Sequence, residues 1–394
     1  MMKQSIISKK KKNKQSIPEQ VLIQIILEIL SRLPIKSLFR CQLVCKEWFS
    51  SISDPHFTKL HLSRSPISLL IKPIFRESRK LRLFDLQILH KTHPREAHLK
   101  LTTETNIPYA GQEIVNSCNG LLCLCYKSVI CVCNPILGEY ITLPYATYGG
   151  HYCVPTVTAF GFIPRTNQYK VIWFFIERAV EPINPITELK TYPDDPKAMI
   201  YTISDGLWRN LGSVPYYLKN RLFNSFVNGA LHWLNFTCDS PDFIQCFDFD
   251  SEEFRVVPEP PELGLRKEFS DHILVGVLRG SLSICDFSSP LRMDIWLMKD
   301  YGIKESWSKE LVIENGIGRR GNLDCCEPIM ILNSGEILML VNKDALKMYN
   351  PKLGKFKKLN TYYGIKSEFN ATAHVPSFVS LRDVTKREKF SFVC

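Results

Sequence analysis

One short pattern recurs along most of the chain, a turn glycine followed directly by an apolar run. It reads NGLLCLC (119–125), NGALHWL (228–234), RGSLSIC (279–285) and SGEILML (334–340). The four copies start 109, 51 and 55 residues apart, and the first spacing is close to two periods. A strand, a tight turn and a second strand trail three of the copies, in CNPILGEYITLP, CFDFDSEEFRVVP and MYNPKLGKFKKL. The chain therefore repeats a unit of about 50 residues.

A repeat of this length with about four strands is typical of a kelch-like β-propeller. Repeats must stack to bury their strands, and closing the ring removes exposed sheet edges. The double gap holds FGFIPRTNQYKVI and MIYTISDGLWRNLG, which supply the missing unit. About 320 residues give about six blades. We expect ISLLI and KLRLFDL to complete one blade with the last strands, near PSFVSL. An irregular stack of β-sandwiches is the alternative that such degenerate repeats leave open.

The N-terminal segment has helical periodicity instead. Ser16 and Glu19 form a capping box, with Pro18 in the first helical turn. From Val21 to Leu33 the polar residues form one narrow stripe, so the predicted helix is apolar over most of its circumference. Such a helix must be covered on two sides, and its own small domain can cover only one.

A second apolar helical face follows Pro34, which ends the first helix. We expect Ser37 to cap this second helix and Asp54-Pro55 to end it. A module of about 45 residues is near the lower limit for independent stability, so an external partner is expected. A helical cap packed on the downstream domain is the alternative. The face consists of Leu38, Cys41, Cys45, Trp48 and Ile52, and it is flanked by Lys36, Arg40 and Lys46.

The formal net charge of +11 is distributed unevenly. The first fourteen residues contain six lysines and no acid, so the rest of the chain carries only +5. We therefore expect no nucleic-acid partner.

The run VLIQIILEIL is interrupted by Gln24 and Glu28 and is too short to cross a bilayer, so no membrane partner is expected either. The sequence suggests a soluble protein of the cytoplasm, the nucleus or both, with Lys9 to Lys14 as an import signal or a solvated tail.

Several motifs suggest chemistry that we do not expect. Cys123, Cys125, Cys131 and Cys133 suggest a zinc site, but only a three-residue loop between the two strands would place all four on one face. A two-residue loop at 127–128 would place Cys125 opposite Ile130, and the two pairs of cysteines would then point to opposite faces of the sheet.

The glycine motif GIGRRG (316–321) lacks the following helix that a nucleotide site requires. Buried structural residues are the better interpretation of His232 and of the vicinal pair at 325–326. We therefore expect no catalytic residue, no metal and no cofactor.

The segments ILSRLP, PIKSLFRCQLVCKEW and ISDPHF together resemble the F-box, the motif that docks on a Skp-type adaptor in cullin-based ubiquitin ligases. The resemblance covers roughly residues 17–60. The opening Leu-Pro of the family stands one helical turn closer to ILSRLP than Ile17-Pro18 does here, and Val21 and Leu22 hold the equivalent positions. The resemblance implies that residues between the helices insert into the adaptor, namely Leu30, Leu33, Pro34, Leu38, Val44, Cys45 and Trp48.

The later segments SCNGLLCL, AFGFIPRTNQYKVI, VNGALHWL and MDIWLMKDYGIKESWSKE resemble the plant F-box-associated domain over most of residues 110–360. The expected order is a basic tail (1–15), a helical F-box module (16–62), a connector with the first propeller strands (63–110), the propeller-like domain (111–385) and a C-terminal tail (386–394). The two resemblances imply a non-catalytic substrate receptor that links a Skp-type adaptor, and through it a cullin, to a protein substrate.

Two other functions remain open from the sequence. The first is a propeller enzyme or ligand-binding protein whose N-terminal helices only cap the fold. The second is a structural scaffold that never engages a ligase. The predicted substrate-binding loops are TYGGHYCVP, VEPINPITELKTYPDDPK and LGLRKEFSDH, because recognition surfaces of propellers lie on loops.

Overall fold

The computed structural model describes most of the chain in two compact units, which divide between residues 65 and 66. The predicted basic tail, the cap at Ser16 and the GIGRRG segment lie outside the described residues. Among the helices of the described residues, none is long and apolar enough to cross a membrane. The described ranges are 19–74, 78–89, 96–126, 128–148, 151–152, 155–176, 196–215, 225–235, 243–261, 263, 272–289, 292–314, 326–360, 368–385 and 391–392.

The first unit is built from four short helices. They are α1 (Glu19–Leu30), α2 (Ile35–Cys41), α3 (Lys46–Ile52) and α4 (Pro55–Leu62). The predicted single helix after Pro34 is therefore wrong, because the chain turns after α2 and Cys45 is extended, with φ −157° and ψ 166°. No glycine or proline marks this break in the sequence.

Two predicted helix boundaries also need correction. Pro34, and not Ser37, stands at the N-cap of α2, where no side chain caps the helix. Asp54 does not end the helical unit but starts α4, because its carboxylate accepts hydrogen bonds from the backbone N–H groups of His56 and Phe57. The unit therefore contains four helices, two more than its apolar periodicity indicates.

The second unit is a six-bladed β-propeller. In chain order its first strands are β1 (Ser68–Pro73), β2 (Lys80–Leu89) and β3 (Glu96–Asn106) in blade 1. Blade 2 contains β4 (Glu113–Cys118), β5 (Leu121–Tyr126), β6 (Val129–Asn134) and β7 (Glu139–Thr142), and a small ribbon of β8 (Thr147–Tyr148) and β9 (His151–Tyr152) follows. Blade 3 contains β10 (Pro155–Ile163), β11 (Gln168–Ile176), β12 (Pro196–Thr202) and β13 (Leu207–Ser213).

The remaining blades follow the same antiparallel order. Blade 4 contains β14 (Phe226–Val227), β15 (Ala230–Leu234), β16 (Ile244–Asp248) and β17 (Glu253–Val257). Blade 5 contains β18 (Ile273–Leu278), β19 (Ser281–Ser289), β20 (Arg292–Met298) and β21 (Trp307–Glu314), with a 3-10 turn at Lys304–Ser306. Blade 6 contains β22 (Cys326–Ile331), β23 (Ile337–Val341), β24 (Ala345–Asn350) and β25 (Lys355–Asn360).

The ring is closed by the end of the chain. Strand β26 (Phe369–His374) pairs with β1 and becomes the innermost strand of blade 1. The prediction of a closing strand near PSFVSL is therefore wrong. These residues follow β26 and lead into α5 (Leu381–Thr385). Strand β27 (Ser391–Phe392) adds to the outer edge of blade 2. The blades then contact each other around the ring through their inner strands, with the second strand β15 making these contacts beside the two-residue β14 in blade 4. The contacts are β4 with β10, β10 with β15, β15 with β18, β18 with β22, β22 with β26 and β26 with β4.

The repeated glycine turns mark the same point in successive blades. Asn119-Gly120, Asn228-Gly229 and Arg279-Gly280 join the first and second strands of blades 2, 4 and 5, and both residues of each turn have positive φ. Such two-residue turns match the twist of antiparallel strands. Gly335 lies in the corresponding turn of blade 6, with φ 86°. The sequence repeats therefore correspond to the blades, as predicted.

Each blade buries both of its faces, which explains the unbroken apolar runs. In blade 2, Leu122 and Leu124 pack toward blade 1, while Cys123 and Val132 pack toward Phe160 of blade 3. The same alternation continues around the ring and gives one apolar core between each pair of neighbouring blades.

Candidate functional site

The helical unit exposes an unusual amount of apolar surface. On α1, the side chains of Leu22, Ile23, Ile25 and Ile29 are 45–56% exposed. From α2 to α3, Phe39, Leu43, Val44 and Phe49 are 38–86% exposed. In the part of the chain that the structure describes, these eight residues are almost half of the seventeen exposed large hydrophobic side chains. We call these eight residues the apolar surface.

Hydrogen bonds join α4 to α1 and to the turn that precedes α2. The carboxylate of Glu28 on α1 accepts hydrogen bonds from Arg32 and from Arg64, both at 2.7 Å, so the ends of α1 and α4 are joined. These hydrogen bonds lower the pKa of Glu28, and the one from Arg32 has the larger effect. His61 on α4 is buried and its Nε2–H donates to the backbone oxygen of Leu33 at 3.1 Å. Burial lowers the pKa of His61.

The seven residues that the resemblance assigned to adaptor contact fall into three groups. Pro34 and Val44 are exposed, and Leu33, Cys45 and Trp48 are half-buried. Leu30 and Leu38 are 2% and 0% exposed. These two side chains are therefore enclosed in the folded chain and cannot contact another protein in this conformation, so we assign them to the core.

Sequence reasoning missed most of the apolar surface. The apolar circumference of the first helix was a valid signal for Leu22, Ile23, Ile25 and Ile29, since it required cover from two sides. No signal was available for Leu43, the most exposed of the set, because it lies in the unpredicted turn between α2 and α3. The predicted basic flank is present, and Lys36, Arg40 and Lys46 are all exposed.

In the propeller, a cavity of about 520 Å³ lies among the inner strands of blades 1, 2, 5 and 6. Glu113, Glu327, Lys343 and Asn370 contribute to its wall, together with apolar residues of β18. Near it, Lys72 on β1 is buried and donates to the backbone oxygen of Pro73 at 3.2 Å. Burial lowers the pKa of Lys72, and the Glu113 carboxylate opposes this shift. The volume is in the range of small-ligand sites.

Strand order determines which face of the ring each connection occupies. The chain runs up and down within a blade, so connections after second and fourth strands share one face, opposite the glycine turns. The three predicted recognition loops follow β7, β11 and β17, and the strands that flank them therefore end on this face. Most residues of these loops, including 149–150, 153–154, 180–195 and 264–271, lie outside the described residues.

The four clustered cysteines do not converge. Cys125 is opposite Ile130, as a two-residue loop requires, and Lys127 of that loop lies outside the described residues. Cys123 packs toward blade 3, while Cys131 and Cys133 pack toward blade 1. Burial raises the pKa of Cys133 to about 12. Within the described ranges, no group of three or more potential ligands could hold a metal ion.

The other two candidate residues are structural. His232 is fully buried, its Nδ1–H donates to the Ser225 oxygen at 3.0 Å, and its Nε2 accepts from the Tyr301 hydroxyl at 2.7 Å. Burial lowers its pKa to about 4. Cys326 is buried on β22, while its neighbour at 325 lies outside the described residues. The interpretation of His232 as a satisfied core histidine is confirmed.

Comparisons with known proteins match both units separately. A family model described as the F-box domain matches residues 22–60, and one described as the F-box associated beta propeller domain matches residues 73–381. The F-box protein At3g07870 of Arabidopsis thaliana is 31% identical over 395 residues, which cover 91% of each chain. The F-box/kelch-repeat protein At3g23880 of the same plant is 26% identical over 358 residues, covering 86% of this chain and 90% of the relative.

Proposed function

Because the chain belongs to the family of F-box proteins with an F-box-associated β-propeller domain, we propose that it is the substrate receptor of a Skp–cullin–F-box ubiquitin ligase. The helical unit docks on a Skp-type adaptor, and the propeller binds a protein substrate. The observation that supports the proposal is the apolar surface, eight large hydrophobic side chains that a helical unit of about 45 residues leaves exposed, as expected of a protein–protein interaction site.

The mechanism is proximity, and this chain carries out no bond chemistry. F-box proteins are generally non-catalytic adaptors. The receptor holds substrate lysines near the activated ubiquitin, so that their encounter becomes intramolecular and their effective concentration rises. The exposed Lys36, Arg40 and Lys46 beside the apolar surface favour an acidic rim on the adaptor. A cytoplasmic or nuclear location is part of the proposal, and a fluorescent fusion would test it.

Co-purification with a Skp-type adaptor tests the docking. Leu43→Asp changes a side chain that is 86% exposed, so the helical unit should still fold. Burying a leucine contributes about 1.5–3 kcal/mol, or about tenfold to a hundredfold in affinity, and a buried aspartate adds a desolvation cost. We expect Leu43→Asp to abolish co-purification.

The matched control is Leu207→Asp, on the propeller strand β13, where the leucine is 72% exposed. It makes the same chemical change at a similarly exposed site and should leave co-purification intact. Equal retention of the adaptor by both variants, or no adaptor with the unchanged chain, would contradict the docking proposal. Leu38→Asp is unsuitable as a test because Leu38 is fully buried and the change would unfold the unit.

Ligand binding in the propeller cavity is a second candidate function. The charged side chains Glu113, Glu327 and Lys343 and about 520 Å³ of space favour it. Native mass spectrometry of the purified chain would reveal a retained ligand as a mass increment that Glu327→Gln reduces. An unmodified mass in both proteins would count against this function.

A further inference from the structure

The positive charge of the chain is concentrated in two segments. The first fourteen residues contain six lysines without an acid, and residues 343–358 contain six lysines and a single aspartate. Together they account for the whole formal charge of +11, so the other 364 residues are electrically neutral. The second segment is the outer hairpin of blade 6, formed by β24 and β25, with the turn before it.

Among the described residues, the lysines of this hairpin have no acidic partner. Lys347 is directly opposite Lys358, a pairing of like charges that weakens a sheet, and its Nζ lies 5.9 Å from the centroid of the Phe356 ring. In the described part of the chain, Lys352 and Lys355 have no ion-pair or hydrogen-bond partner for their side chains. Several basic residues of other blades do form ion pairs, as Lys170 does with Glu252.

Blade 2 carries the same turn as blade 6, with the sequence NPILGE (134–139) in place of NPKLGK (350–355). The turns are equivalent in register, because Asn134 pairs with Glu139 and Asn350 pairs with Lys355. In both, the asparagine Oδ1 accepts a hydrogen bond from the backbone of the leucine three residues on. The two turns therefore present the same backbone scaffold with different side chains.

In blade 2 this turn is covered by a segment of the chain itself. The Asn134 side chain donates to the backbone oxygens of Ser377 and Val379, at 3.0 and 2.8 Å. The Glu139 carboxylate accepts from the hydroxyl of Ser380 and from the backbone N–H of Leu381, at 3.1 and 2.7 Å. The carboxylate at the last position of the turn thus binds donors of a polypeptide segment.

In blade 6 the corresponding turn is open. Leu353 is 67% exposed, whereas its counterpart Leu137 is half-buried. The position of Glu139 is held by Lys355, a donor in place of an acceptor, and Ile136 is replaced by Lys352. The Asn350 side chain donates within its own blade, to Glu336 at 3.1 Å. The equivalent covering segment would need to supply carboxylates to the lysines and an apolar side chain to Leu353.

We propose that the turn at residues 350–355 is a docking site for an acidic polypeptide segment that carries an apolar residue. The covering of blade 2 by residues 377–381 favours a polypeptide as the occupant. A single-stranded nucleic acid would in addition stack its bases on exposed aromatic rings, and Tyr349 beside the turn is buried. The inference relies on the proposed function only in that the bound segment would belong to a substrate.

Binding of a short fluorescent peptide to the full chain, in complex with its adaptor, tests the site. The peptide has a leucine flanked by glutamates, and a matched peptide has glutamine in place of each glutamate. Lys355→Glu gives blade 6 the charge that blade 2 has at this position. We expect Lys355→Glu to weaken binding of the acidic peptide about tenfold or more, and Leu353→Ser to weaken it severalfold. The glutamine peptide should bind no variant.

The control variants are Lys299→Glu and Leu207→Ser, which make the same changes at exposed positions of other blades and should bind as the unchanged chain does. The proposal is overturned if Lys355→Glu binds normally, or if Lys299→Glu loses as much affinity. It is also overturned if single-stranded DNA displaces the peptide at a lower concentration than unlabelled peptide does. Adaptor co-purification should be the same for all four variants, so failure of this site and failure of the ligase proposal are separate results.

Discussion

Acidification should destabilise the propeller through His232. This side chain is fully buried between blades 4 and 5 and is neutral, since its Nε2 accepts from Tyr301. Its pKa is lowered to about 4 by burial, against about 6.5 in an unfolded chain. A histidine with a depressed pKa gives its full stability above pH 6.5, and this is lost as the pH falls toward 4, because the unfolded state binds the proton first.

The magnitude follows from the difference between the two pKa values. About 2.5 pH units at about 1.4 kcal/mol each give a total of about 3 to 4 kcal/mol, of which about 2 kcal/mol is lost between pH 7 and pH 4.5. Urea unfolding followed by tryptophan fluorescence measures it, because five of the six tryptophans lie in the propeller. His374 adds a similar loss, since burial lowers its pKa to about 3.

A variant separates the contribution of His232 from that of His374 and the carboxylates. His232→Gln can keep a donor and an acceptor but cannot titrate, so its unfolding free energy should fall by about 2 kcal/mol less than that of the unchanged chain over this range. His56→Gln, at an exposed histidine, is the control and should follow the unchanged chain. Parallel pH profiles for the unchanged chain and His232→Gln would refute the reasoning.

Three further predictions concern the propeller and the helical core. Gly120→Ala should lower the unfolding free energy by about 2 kcal/mol or more beyond Gly229→Ala. Both glycines have positive φ, but only at Gly120 would the new Cβ overlap a neighbour, the Ser377 hydroxyl at 1.9 Å. Elemental analysis should find no stoichiometric zinc, and Cys123→Ser should not change the metal content; one bound zinc per chain would contradict the cysteine geometry. Circular dichroism should show loss of helix for Leu38→Asp and not for Leu43→Asp, and equal spectra would contradict the burial of Leu38.

The blades could be predicted from the sequence because each one repeats the same local chemistry. A two-residue turn with positive φ is strongly encoded by Asn-Gly, and the strand after it is apolar on both faces because both faces are buried. The six blades and the burial of His232 followed from such local patterns, whereas the length of the loop before Cys131 stayed open between two and three residues.

Blade 1 could not be assigned correctly, because its inner strand is weakly encoded. FNATAH (369–374) alternates apolar and polar residues, but two of its three apolar residues are small alanines, and its pairing with β1 is what identifies it as the inner strand. PSFVSL looks more like a strand but is held on blade 2 by Asn134 and Glu139, which lie more than 240 residues earlier in the chain. Contacts at this separation leave no local signal.

That the helical unit exposes apolar residues could be predicted from the sequence, but which residues are exposed could be predicted only in part. Helical periodicity indicated that α1 is apolar nearly all round, but it cannot show which side the chain itself covers. Leu30 and Leu38 turned out to be covered, and Leu22 and Leu43 turned out to be open. The break between α2 and α3 accounts only for Leu43, which lies in it.

Hydroxyl-radical footprinting of the chain, alone and in complex with a Skp-type adaptor, tests whether the helical unit is the docking surface. Oxidation of Phe39, Leu43 and Phe49 should fall strongly in the complex. Oxidation of Leu207 and Tyr145, which are also exposed on the propeller, should stay unchanged in the same samples. Protection of the propeller residues, with Leu43 and Phe49 still oxidised, would contradict docking through the helical unit.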